Sequence, residues 1–238
     1  MLFDVHSLEG TRRPGNPPAR AERPAYPDQL VETPRAYSMS SPNQLAFKRA
    51  FDIVTSLVLL VYLLPVLVLI AIAIKIFDRG PILFGQDRYG KGMVSFRILK
   101  FRTMVCDEPG RDFVQATAGD PRITRLGAFL RRTSLDELPQ LWNVLVGHMS
   151  LVGPRPHATA MEEQIFALYP DAVHRLDVHP GMTGLAQIRG HRGPTASNAD
   201  LRARIDADLD YVRTWSFGLD MMILVRTPYV WLTGKNAF

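Results

Sequence analysis

The chain has 238 residues, a formal net charge of +5 and an isoelectric point near 9.6. That length holds about one domain of ordinary size beside any membrane segment, and the basic balance suits an anionic membrane surface, phosphorylated small molecules or nucleic acid. The single cysteine, Cys106, excludes an intramolecular disulfide and a cysteine metal cluster.

Residues 1–42 are rich in Pro, Arg, Ala and Glu and show neither helical nor strand periodicity, so a disordered N-terminal tail is expected. Met1 to Ser40 lacks the apolar core of a signal peptide. A membrane-associated segment is expected over 43–79. Lys48 and Arg49 stand where a helix would meet lipid headgroups, a position that favours snorkelling. Asp52, at the apolar boundary, is placed to cap or to pair with one of those cations. The stretch Ile53 to Ile74 is uncharged. As a helix of about 22 residues it would rise roughly 33 Å, against a bilayer core of about 30 Å. Pro65 lies near its middle and is expected to kink or break it. Basic residues flank both ends, so the positive-inside rule sets no orientation for a span. A kinked span and a re-entrant hairpin both remain open, with Thr55 and Ser56 available to carbonyls freed at a bend. A buried helix of a soluble protein fits least, because the run is so purely Leu, Val and Ile.

A catalytic domain is expected over 80–238. Two short strands, Ile82 to Gln86 and Ser95 to Phe101, are joined through the glycine-containing turn Tyr89 to Gly92. Between Gln86 and Arg132 there are ten basic residues against five acidic ones. Arg88, Lys91, Lys100 and Arg102 therefore suit phosphate or headgroups, and equally a solvated basic face. Cys106 to Asp120 reads as a polar loop. Ile123, Leu126, Phe129 and Leu130 give a short amphipathic helix whose polar face carries Arg122, Arg125, Arg131 and Arg132.

Asp136 and Glu137 follow, ahead of a second apolar helical face at Leu138, Leu141, Trp142 and Leu145. Ser134 with Glu137 has the spacing of a capping box. Pro139 conflicts with that unless it opens the helix, which would leave the two carboxylates in the entering loop. A catalytic pair is the other reading, since Arg131, Arg132 and Arg155 favour the anionic forms and a metal cation would do likewise. Gly153-Pro154-Arg155-Pro156 presents Arg155 on a stiff backbone.

The segment Leu185 to Ile188 reads as a strand, and no Walker or dinucleotide fingerprint is present. His174, His179 and His191 have no metal-ligand spacing. Ser197 caps a helix bearing Leu201, Ile205, Leu209 and Val212, whose acidic side includes Asp208. Asp208 and Arg213 are placed where they could face a site. The closing aromatic segment, with Trp215, Phe217, Tyr229 and Trp231, reads as a surface-lying helix that would serve a membrane or a homodimer. A nucleic-acid partner is not expected, because no helix-turn-helix, zinc module or RNA-binding sheet is recognisable.

Six segments taken in order, KRAFDIV, GPILFGQDRYG, FRILKFRTM, TRLGAFLRRTSLDELPQLWNVLVGHMSLVGPRP, PGMTGLAQIRG and DLDYVRTWSFGLDMMIL, strongly resemble the bacterial sugar transferases. These are the monotopic polyprenyl-phosphate phosphoglycosyl transferases, and the likeness is to their short exopolysaccharide-priming type. The resemblance implies an α+β fold: a mostly helical cytosolic domain with a small β element, a proline-broken re-entrant membrane helix and interfacial amphipathic helices. It implies transfer of a hexose 1-phosphate, glucose or galactose, from a UDP-sugar to undecaprenyl phosphate, with release of UMP, at the cytoplasmic face of the bacterial inner membrane. It assigns catalysis to Asp136 and Glu137, the first as nucleophile, and places magnesium beside them. Arg88, Lys100, Arg102, Arg131, Arg132 and Arg155 become candidate phosphate contacts, Trp142 a packing residue, and Lys48, Arg49, Asp52 and Pro65 parts of the hairpin. Several relatives carry a serine before the hairpin proline where this chain has Leu64. A UDP-N-acetyl sugar as donor, a one-step transfer with Asp136 on the metal, and a non-catalytic scaffold are the alternatives.

Overall fold

The computed structural model describes residues 41–105, 120–191, 193 and 197–232. The expected tail, apart from its last two residues, and Cys106 lie outside them. The first element, α1 (Pro42–Phe77), opens on a proline, where the missing N–H has no helical partner to lose. It is helical straight through Pro65. The expected break is thus not a gap between two helices: the proline removes one N–H from the ladder, and the turns on either side keep theirs. Among the described residues α1 is the one helix long and apolar enough to cross a membrane, and only 11% of its most apolar stretch is buried. Leu57, Val58, Val61, Tyr62, Leu64 and Leu69 are exposed. A soluble core helix would bury them.

Both ends of α1 dock on the same folded unit. Near the N-terminal end Lys48 pairs with Asp220, Arg49 donates to the carbonyls of Val144 and Leu145 at 2.6 and 2.9 Å, and Asp52 accepts from the Leu151 amide at 3.1 Å. Lys48 and Arg49 therefore turn into the domain instead of snorkelling, because the helix-end carbonyls of Val144 and Leu145 and the buried Asp220 lie there. Near the other end Ile70 and Ile74 are buried in a cluster with Phe101 and Leu130.

Strands β1 (Leu83–Tyr89) and β2 (Ser95–Phe101) form an antiparallel hairpin, with Leu83 opposite Phe101 and Tyr89 opposite Ser95. Phe96 and Ile98 face the main core. Helix α2 (Arg125–Thr133) is capped by Thr124, whose hydroxyl accepts from the Gly127 amide at 2.8 Å. Gly127 is required by close approach: a Cβ there would lie 2.0 Å from the Thr103 carbonyl oxygen.

Ser134 ends α2 in the left-handed region, φ 56°, and makes no capping bond to the next turn. The capping box does not form. A 3-10 turn, Leu135–Glu137, carries the two carboxylates, and α3 (Gln140–Val146) starts after Pro139. On α3, Leu141 and Val144 are buried while Trp142 is 53% exposed, so Trp142 packs against nothing in its own core. Asn143 closes the outer edge of β2, accepting from Leu99 N at 2.9 Å and donating to Arg97 O at 2.8 Å.

Strand β3 (Ser150–Val152) pairs in parallel with β4 (Gly181–Thr183), and between them run α4 (Thr159–Leu168) and a 3-10 segment, Pro170–Asp177. Leu185–Ile188, expected as a strand, is the short helix α5. Helix α6 (Asn198–Thr214) is capped by Ser197, as expected. Helix α7 (Phe217–Leu232) buries Asp220, Ile223 and Thr227 on one face and exposes Val225 and Tyr229 on the other. Trp215 is core, with its indole N–H on Asp220. The result is a mostly helical domain with two small β elements and one long apolar helix.

Candidate functional site

The carboxylates of Asp136 and Glu137 owe their position to the left-handed Ser134, which turns the chain out of α2, and to Pro139, which starts α3. Both residues are buried, and the charges around them are unequally shared. Glu137 accepts from Lys100 Nζ at 2.9 Å and from both terminal nitrogens of Arg155, one of them at 3.1 Å. Burial alone would raise its pKa. Arg155 and Lys100 outweigh burial and hold the carboxyl well below its usual range. Arg155 is in turn raised by Glu137.

Among the described residues no hydrogen bond engages the Asp136 carboxylate. Burial, then the charge of Glu137, pushes it up to about 6, against the pull of Lys100, Arg131 and Arg155. The pair is therefore one clamped anion beside one unengaged carboxyl. The unengaged oxygen atoms are the ones free to meet another group.

The sequence candidates divide by place. Lys100, from β2, and Arg155, from the loop after β3, bind Glu137 directly. Arg131, on the last turn of α2, donates its Nε–H to Thr103 Oγ1 at 2.8 Å; burial lowers its pKa and the charge of Asp136 raises it. Arg88, on β1, bonds Gln86 at 2.6 Å, and burial followed by the charge of Arg155 lowers it to about 10. These four surround the pair. Arg102 donates instead to the Asp78 carbonyl at 2.8 Å, tying the end of α1 to β2. Arg132 is exposed on α2 and bonds neither carboxylate. Lys48, Arg49 and Asp52 hold α1 to the domain, and Pro65 lies in its exposed stretch.

A second charged cluster lies behind Arg155, and only Asp208 was expected near a site. Arg175 is fully buried. It donates to Glu162, to Asp208 at 2.9 Å and to the Arg155 carbonyl at 2.8 Å. Glu162 also meets His157 Nδ1 at 2.9 Å. No local spacing marks these residues, which come from a loop, α4, the 3-10 segment and α6. Asn143 was equally hidden, inside an apolar run.

The family model described as "Bacterial sugar transferase" matches residues 43–234. A Caulobacter vibrioides protein named UDP-glucose:undecaprenyl-phosphate glucose-1-phosphate transferase is 51% identical over 191 residues, 80% of this chain and 72% of that protein. The exopolysaccharide production protein PSS of Rhizobium leguminosarum bv. phaseoli is 49% identical over 82% of this chain and 99% of its own length. An Escherichia coli protein with the same name as the Caulobacter one is 45% identical over 88% of this chain, which spans 44% of it. With 192 residues of the chain under that model and two of these relatives matched over 72% and 99% of their length, the chain belongs to the bacterial sugar transferase family.

Proposed function

We propose that the chain transfers a hexose 1-phosphate from a UDP-hexose to undecaprenyl phosphate, releasing UMP, as the priming step of exopolysaccharide synthesis at the cytoplasmic face of the inner membrane. Glucose is the favoured sugar, because the Caulobacter and Escherichia relatives are named for it. The observation that carries the reading is the unequal pair: Glu137 held by Lys100 and Arg155, with Asp136 beside it and unengaged. A carboxylate attacks phosphorus when fixed cations neutralise the incoming phosphates.

In the first step an Asp136 oxygen bonds to the sugar-proximal phosphorus. The bond from that phosphorus to the UMP oxygen breaks, and UMP leaves with the electron pair. In the second step an oxygen of undecaprenyl phosphate attacks the same phosphorus, and the Asp136 carboxylate leaves. Four cations, Arg88, Lys100, Arg131 and Arg155, face two carboxylates, and the positive surplus matches a pyrophosphate. Splitting the transfer means the soluble donor and the lipid acceptor need not occupy the site together.

Magnesium is the expected metal. Among the described residues no group of three or more His, Cys, Asp or Glu side chains is arranged to hold a metal ion, and the candidate pair offers two carboxylates. That sparse donor set fits magnesium, which takes one or two carboxylates and completes its shell with water and phosphate. Asp136 would hold it, and Glu137 only by releasing an oxygen from Lys100 or Arg155. When bound, the ion supplies charge neutralisation at the phosphates.

The test is intact-protein mass spectrometry of nanodisc-held protein with magnesium and UDP-glucose, without lipid acceptor. A hexose-phosphate adduct on Asp136, absent from Asp136→Asn and abolished by chelator, supports the reading. UMP release that requires undecaprenyl phosphate, with no adduct, points to one-step transfer. An adduct formed only with UDP-N-acetyl sugars changes the substrate. Neither adduct nor UMP with any UDP-sugar favours the scaffold.

A further inference from the structure

Arg155 is held at both ends. Its guanidinium lies on Glu137, and its carbonyl accepts from Arg175 at 2.8 Å. Pro154 and Pro156 flank it and have no N–H of their own, so the segment depends on other anchors. Pro154 O accepts from Gly181 N at 2.9 Å, and His157 N donates to Glu162 Oε2 at 3.3 Å. Arg175 and its ion-pair partner Glu162 thus supply two of the bonds that hold this loop around Arg155. Arg175 is tied in turn to Asp208 on α6.

The cluster is expensive to bury. Arg175, Glu162 and Asp208 are each at most 2% exposed. A buried ion network is often no more stable than an apolar replacement of equal volume, whereas it does fix geometry. Its charge also reaches the cations around the pair: Arg88 feels Arg155, Glu162 and Glu137 together.

We propose that Arg175 is a positioning residue for the phosphosugar transfer: held by Glu162 and Asp208, it fixes the backbone of Arg155 so that the Arg155 guanidinium meets both Glu137 and the donor pyrophosphate. Arg175 touches neither substrate nor the reacting carboxylate and acts through Arg155 alone. This rests on the transfer proposed above. The geometry that carries it, the Arg175–Arg155 carbonyl bond and the Arg155–Glu137 pair, does not.

The test is a double-mutant cycle on Arg175→Lys and Arg155→Lys in nanodiscs, with thermal unfolding as a check on folding. Two quantities are measured, the adduct formation rate and the dissociation constant for UDP. Arg175→Lys is expected to slow adduct formation about tenfold in the wild-type background and less than about twofold in the Arg155→Lys background, the non-additivity of groups acting in series. Asp208→Asn, a milder change, should show the same dependence on Arg155 if Arg175→Lys fails to fold. Effects that multiply independently would overturn the proposal, as would wild-type rates in a folded Arg175→Lys protein. If wild-type protein makes no adduct, the two-step reading fails by itself. The UDP affinities then decide the positioning claim, with the same non-additivity supporting it and additivity overturning it.

Discussion

Asp136 and Glu137 are neighbours in the chain, yet one is clamped by two cations and the other by none. Glu137→Gln removes the partner of Lys100 and Arg155 and is expected to cost about 3 kcal/mol, the scale for breaking a buried ion pair. Thermal unfolding in detergent would show it, and adduct formation should fall with it. Glu162 gives a prediction in pH. Burial raises its pKa, Arg175 and His157 lower it more, and it stands at about 2 against 4.5 in the unfolded chain. A depressed carboxyl stabilises the fold above its unfolded pKa and loses that contribution as pH falls toward its folded one. Wild type should therefore exceed Glu162→Gln by about 3 kcal/mol at pH 7, with the gap closing between pH 4.5 and about 2. A gap that stayed constant to pH 2 would contradict the pairing. The sequence pointed to Asp136 and Glu137 through the resemblance carried by the DELPQ segment, with Arg131, Arg132 and Arg155 near it in the chain. It hid Arg175, Glu162 and His157, whose meeting depends on four separate segments and on no local spacing.

Elements show where local pattern suffices. The β1–β2 hairpin was legible because its glycine-containing turn sits between two apolar runs, and the observed strands start or end within a few residues of the expected bounds. Leu185–Ile188 was misread because a four-residue apolar run fits a strand or a buried helical turn equally. The strand is instead Gly181–Thr183, where backbones approach so closely that a Cβ on Gly181 would lie 2.1 Å from Gly153 N. Trp142 was read as core from its helical position, but on so short a helix the apolar face covers only Leu141 and Val144. Asn143 is the element-scale test. Asn143→Leu strands the Leu99 N–H and the Arg97 carbonyl, each worth about 1–3 kcal/mol when left unpaired, and should lower the unfolding temperature without preventing membrane binding.

At the scale of the whole molecule, the two ends of α1 rest on one folded unit. A domain cannot stand on both sides of a bilayer, so the expected outcome is that both ends label from the same side, with the exposed residues between them toward lipid. Phe47 and Phe77 are exposed near those ends. In a Cys106→Ser background, Phe47→Cys and Phe77→Cys should both react with a membrane-impermeant thiol reagent from the same face of sealed vesicles. Labelling from opposite faces would show a span. Val61→Asp with Leu69→Asp, at about 3 kcal/mol for each charge placed deep in the bilayer, should release the protein from carbonate-washed membranes.

Lys48, Arg49 and Asp52 complete the bonding of four groups of the domain: the charge of a buried acid, two helix-end carbonyls and a strand amide. The anchor is consequently not severable. Removing it to obtain a water-soluble enzyme would expose those groups together, and grafting a foreign lipid anchor in its place would restore attachment while leaving the fold unfinished.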